Sequence, residues 1–181
     1  MKLYELRANF DECCAFSFLY EDGGQVWTDL FDGTPHPQGY PVPLGHRRVD
    51  DEADGPLPDY TDFGLLYPTF SDRARHALDD LLTPNGEFAV IEMDEAMRYF
   101  AFNATTMVDV LDESRSAIAY FRSGGVMAVD KHVLLDSITS LPPIFRMPQT
   151  RRNTTYVSEA FVERAQQNGL LGFRFNLLFE R

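Results

Sequence analysis

Residues 67–88 read YPTFSDRARHALDDLLTPNGEF, and the fold is read outward from them. Ala74, Ala77, Leu78, Leu81 and Leu82 recur at spacings of three and four, which lays a single apolar stripe along a helix. Ser71 stands where an N-cap is needed, and Asp72 in the first turn complements the helix dipole. Thr83-Pro84-Asn85-Gly86 then stops the element. The pattern predicts a helix over 72–82 that must lay its stripe on a sheet or another helix.

Downstream, EFAVIEMD and RYFAFN read as two strands of an antiparallel hairpin, joined through 93–97. IAYFRSGGVMAVDKHVLL predicts a second hairpin turning at Gly124-Gly125, and PPIFRMPQ a short strand fenced by prolines. TYVSEAFVERAQQNGLLGFRFNLLF repeats the opening pattern: Ser158 as N-cap, Glu159 in the first turn, then Phe161, Val162 and Ala165 on one face. Asn168-Gly169 ends that helix, predicted over 159–168, and FRFNLLF returns as a strand. The paired Phe-Ser-Asp and Val-Ser-Glu openings follow from shared capping chemistry rather than from duplication.

Upstream, MKLYELRA and CCAFSFLY read as strands and QVWTDLF as a third. Between Asp32 and Asp62 lie six of the eleven prolines and no run long enough to bury a face, so 32–62 is expected to be a long acidic loop. The expected architecture is a single α+β domain over 1–181, a largely antiparallel sheet packed with two main helices. Residues 1–62 form its acidic N-terminal part.

A chain of 181 residues suits one domain, and 44% hydrophobic residues suffice for a core. Against 16 basic residues stand 28 acidic ones, and a net charge of −12 opposes binding to nucleic acid or an anionic membrane. Charges at Lys2, Glu5, Arg7, Asp11 and Glu12 interrupt any secretory core, and no run approaches the length of a membrane span. Cys13 and Cys14, adjacent and alone, give no disulfide framework or zinc set. The expectation is a soluble, reduced, cytoplasmic protein.

Chemistry is sparse. His36, His46, His76 and His132 are scattered, and no phosphate-binding loop or nucleophile elbow occurs. Asp130, His132 and Asp136 could form an acid–base group, but alternation places Asp130 and His132 together on an exposed strand face. Arg151-Arg152 could grip phosphate, though a solvated loop suits so acidic a chain better. A thiol at Cys13 or Cys14 would need a neighbouring base or cation to become reactive. The densest candidate is TTMVDVLDESRSAI, 105–118, where Asp109, Asp112 and Glu113 could hold a cation or share acid and base roles. Their place between two apolar runs favours a turn, with Asp112 and Ser114 satisfying backbone N–H groups. No cofactor or metal is expected.

From Asp62 onward, DFGLLYPTFSDRARHALDDLL, RYFAFNATTMVDVLDESRS, PIFRM and YVSEAFVERAQQNGLLGFRF, in that order, resemble immunity protein family 11, the antitoxins of bacterial polymorphic-toxin systems. Asp112 and Ser114–Ser116 match that family's Asp-then-Ser turn, and Gly169-Leu-x-Gly-Phe-x-Phe its closing signature. The resemblance implies a non-catalytic protein that binds and blocks a cognate toxin. Residues 1–62 carry 13 acidic and 4 basic residues, a net of −9, whereas 63–181 carry a net of −3. The expected partner is therefore a basic toxin acting in the cytoplasm, such as a nuclease, met by Asp50, Asp51, Glu52, Asp54 and Asp59. Two other readings stay open: a small carboxylate- or metal-dependent hydrolase using 109–113, and a regulatory binding module unrelated to toxins.

Overall fold

A computed structural model describes the chain except residues 12, 14–15, 21–30, 37, 40–44, 50–54, 64–66, 92–97 and 151–153, and the side chains of 16–20, 45–49 and 63. QVWTDLF and the connection at 93–97 thus fall almost wholly outside the described residues. The first of two four-stranded sheets holds β1 (Lys2–Ala8) between two strands from the far end of the chain. The second is built from the middle of the chain, and its central strand is buried throughout.

The second sheet comprises β4 (Tyr60–Phe63), β5 (Tyr67–Ser71), β6 (Gly86–Ile91) and β7 (Tyr99–Ala104), in the order β4-β5-β7-β6. The β6–β7 hairpin is the antiparallel pair that the sequence predicts, running from Gly86↔Ala104 to Ile91↔Tyr99. Gly86 is needed there, since a Cβ would fall 2.4 Å from the Asn103 carbonyl and 2.3 Å from the Phe102 ring.

In the first sheet, β10 (Ile144–Phe145), β11 (Tyr156–Ser158), β1 and β12 (Phe173–Glu180) lie in that order, and the pairs are antiparallel. Alternation along these strands supplies two cores at once. Leu6, Ala8, Ile144 and Val157 face one core with Phe70, Phe102 and the helices. Leu3, Phe145 and Tyr156 face the other, with Val110, Leu111, Leu134 and Met147. Asp62, on the edge strand β4, links the sheets by accepting from the Ala8 N–H at the end of β1 at 2.9 Å, and it also accepts from the Tyr60 hydroxyl at 2.6 Å. Burial pushes both the Asp62 carboxyl and the Tyr60 phenol above their ordinary values.

The helices are shorter than expected, and the chain is mostly β rather than α+β with two main helices. The segment 72–82 divides into α1 (Asp72–Ala77) and α2 (Asp79–Leu82), because Leu78 leaves helical geometry at φ −115° and ψ 9°. Its stripe is nonetheless satisfied: Ala74, Leu78 and Leu82 are fully buried. Ser71 caps α1, accepting from the Ala74 N–H at 3.1 Å. Ser158 holds the same position before α3 (Glu159–Gln167), but its hydroxyl makes no cap bond.

The expected loop 32–62 also holds more structure than its composition suggests. Strand β3 (Gly45–Val49) pairs with β2 (Phe16–Tyr20), and β4 begins within the segment. GHRRV has no apolar alternation, so its pairing is decided by its partner strand rather than by its own pattern. Further upstream, Asn103 pins the segment to β7: its carbonyl accepts from the Gly33 N–H at 2.9 Å and its amide donates to the Thr34 carbonyl at 2.8 Å. Finally, β8 (Ala117–Tyr120) and β9 (Val126–Lys131) form a separate two-stranded sheet turning at Gly124, at φ +88°.

Candidate functional site

Of the five acids expected to meet a partner, Asp50, Asp51, Glu52 and Asp54 lie outside the described residues. Asp59 is placed, and it is buried rather than held out in an open strip. Its carboxylate accepts from the Ser71 hydroxyl at 2.8 Å, the Arg73 guanidinium at 2.8 Å and the Leu171 N–H at 2.9 Å. The backbone closes the same knot, with Asp59 N–H donating to the Leu171 carbonyl and Ser71 N–H to the Asp59 carbonyl. Arg73 then reaches the carbonyls of Asn168 and Gly169 at the exit of α3, where a cation opposes the negative end of the helix dipole. Asp59 therefore clasps the start of β4, the cap of α1 and the turn after α3. Sequence reading missed this because its partners lie up to 112 residues away.

Beside this clasp opens a cleft of about 440 Å³, bordered by Leu57, Pro58, Asp72, Arg73, Arg98 and Tyr99. The Tyr99 hydroxyl donates to the Pro58 carbonyl at 2.7 Å and fixes one wall. With Asp72 and Arg98 both exposed, the mouth carries charges of both signs.

The acidic cluster at 109–113 is divided between two tasks. Asp112 folds a turn: its carboxylate accepts from the Ser114 N–H at 3.1 Å, the Ser114 hydroxyl at 2.6 Å and the Arg115 Nε at 2.6 Å. These bonds to Ser114 and Arg115 hold the Asp112 carboxyl below its ordinary value. Ser116 continues the turn, accepting from the Val133 N–H at 3.0 Å. Asp109 and Glu113 instead meet the Gln149 amide, at 2.9 and 2.8 Å. Among the described residues, no group of three His, Cys, Asp or Glu side chains is arranged to hold a metal ion.

The Asp130, His132 and Asp136 group does not share the exposed strand face expected for Asp130 and His132. Strand β9 ends at Lys131, so His132 escapes its alternation and turns inward, while Asp130 and Asp136 stay exposed. His132 borders a cavity of about 220 Å³ with Glu5, Arg7, Thr150, Tyr156 and Val129, and its Nε2 has no hydrogen-bond partner. Burial lowers its pKa and keeps the ring neutral. Arg151, Arg152, Asn153 and Cys14 lie outside the described residues, and Cys13 is buried.

Asp59 and Asp112 thus serve a clasp and a turn. Residues 37–178 match the model of the immunity protein family (Imm11), and the chain belongs to that family. Membership gives the chain a toxin-neutralising immunity role. The match begins upstream of Asp62, so it takes in β3 and the acidic tract around residue 50. No curated protein matches the chain.

The closing Gly169–Phe175 segment has a physical basis here. Gly169, at φ +57°, ends α3 in a Schellman turn, with Leu170 N–H donating to the Ala165 carbonyl and Gly169 N–H to the Gln166 carbonyl. Gly172, at φ +86°, lies so close to β4 that a Cβ would fall 2.3 Å from the Tyr60 carbonyl oxygen. Phe173 and Phe175 then enter the main core. One surface feature escaped the sequence reading: Tyr120, Phe121 and Met127 stand exposed on the predicted hairpin. Only the absence of any carboxylate between Glu113 and Asp130 could have signalled it.

Proposed function

We propose that this protein neutralises a cognate toxin by direct, stoichiometric and non-catalytic contact, and that the toxin is a basic protein acting in the cytoplasm, such as a nuclease. The observation that carries the basic partner is the uneven charge: a net of −9 in residues 1–62 against −3 in 63–181, within a member of an immunity family. Opposite charges steer encounter and can raise association rates by orders of magnitude. Asp50, Asp51, Glu52 and Asp54 supply the steering field, and Asp59 anchors the chain at their C-terminal side.

The test takes the toxin domain encoded beside this chain's gene and follows association by stopped flow at two ionic strengths. The wild type associates fastest at low salt, where screening is weakest. Reversing Asp50, Asp51 and Glu52 to Lys slows association most at low salt and leaves the melting temperature nearly unchanged. Equal low-salt rates for both proteins would refute the steering. Full inhibition at well below one equivalent would refute the stoichiometric mechanism.

A further inference from the structure

Among the described residues, the β8–β9 hairpin is the one paired element with large apolar side chains exposed at its tip. Its root is held by Ile118 and Val129, which pack on the second core. Beyond that root, Tyr120, Phe121 and Met127 are 53%, 52% and 52% exposed. The tip is nevertheless a defined turn: Phe121 N–H donates to the Gly125 carbonyl at 2.8 Å, and Gly124 N–H to the Phe121 carbonyl at 2.9 Å. A Cβ added at Gly124 or Gly125 would meet nothing within 4 Å, so the tip stands clear of the scaffold.

Charge gives the patch a direction. Arg7, Arg73, Arg115, Arg164, Arg174 and Arg181 each hold a carboxylate. Arg122, exposed beside Phe121, makes no ion pair among the described residues, although acids outnumber bases 28 to 16. Between Glu113 and Asp130 the sequence has no carboxylate at all. This arm can therefore be dehydrated without stranding a negative charge, as the centre of a protein interface requires. Tyr, Phe, Met and Arg are also the side chains enriched at such centres.

We propose that the hairpin tip is the apolar centre of the toxin contact, seating Tyr120, Phe121 and Met127 in an apolar recess of the toxin with a carboxylate at its mouth that receives Arg122. The inference rests on the toxin-binding reading above and adds to it a division of labour. The acidic tract governs how fast the partners meet; the hairpin governs how long they stay together.

The probe is again the toxin domain encoded by the neighbouring gene, with binding followed by surface plasmon resonance. A Tyr120→Ser/Phe121→Ser double variant, matched to the wild type in melting temperature, should dissociate at least about tenfold faster with little change in association rate. Arg122→Glu should also hasten dissociation. Val90→Ser, at another exposed apolar side chain on β6, should change neither rate. Unchanged dissociation of the double variant, from a toxin that the wild type binds, would overturn this inference alone. A wild type that binds no toxin would overturn the functional reading and this inference with it. A wild-type dimer in sedimentation that the double variant disperses would assign the tip to a second copy of the chain and overturn the toxin contact.

Discussion

Replacing Asp59 separates a structural clasp from a partner-facing acid. In the wild type its carboxylate is 7% exposed and accepts three hydrogen bonds. Hydrogen bonds to a charged group contribute about 1.5–3 kcal/mol each when buried. Two of the three are discounted: Arg73 is 57% exposed, so its pair is screened to under about 1 kcal/mol, and the Leu171 N–H bond is only partly buried. The Ser71 bond counts in full, because the same hydroxyl caps α1. Asp59→Ala should therefore cost about 2–4 kcal/mol, or about 4–16 °C in melting temperature for a chain of this size. Asp59→Asn should cost about 1 kcal/mol, because its carbonyl can face Arg73 and Leu171 while its amide donates to Ser71. Thermal denaturation of the three proteins, paired with toxin association rates, is the assay. An Asp59→Ala protein with an unchanged melting temperature and slowed association would refute the clasp.

Two further outcomes follow from local geometry. The Asp112 carboxyl titrates lower folded than unfolded, so it stabilises the fold above the ordinary carboxylate value of 3.8 and loses that contribution as pH falls through its lowered folded value. The melting-temperature gap between wild type and Asp112→Asn should be widest near neutral pH and close in acid, and a gap independent of pH would contradict the assignment. Gly172→Ala should destabilise by more than about 2 kcal/mol, combining a left-handed backbone with a clash against the Tyr60 carbonyl, whereas Gly125→Ala, facing open space, should stay within about 0.5 kcal/mol in urea unfolding.

The apolar stripes of 72–82 and 159–167, the β6–β7 and β8–β9 hairpins and the Asp112 turn were legible because their partners lie close in sequence. The break at Leu78 was not, because one stripe serves a bent helix as well as a straight one. Strand β3 carries no pattern of its own, and its pairing with β2 spans the Pro-rich segment. Asp59 looked like one more acid in an open loop because its partners, Ser71, Arg73 and Leu171, lie 12, 14 and 112 residues away. His132 failed for a related reason, since period-two reasoning stops where the strand does. At the hairpin, alternation located the strands but could not say which of Tyr120, Phe121 and Met127 the rest of the chain would leave uncovered.

The central place of β1 has a consequence in time. Made well before both of its neighbours, it lies between β11 and β12, and the Met1 nitrogen donates to the Arg181 carbonyl at 2.9 Å. At about 5–20 residues per second of synthesis, β1 waits on the order of ten to thirty seconds for both neighbours. The sheet of residues 60–104 needs only nearby strands and can close during that wait. Until β12 leaves the ribosome, Leu3 and Leu6 stay without their final cover. The first sheet is therefore completed only after β12 has been made, long after β1.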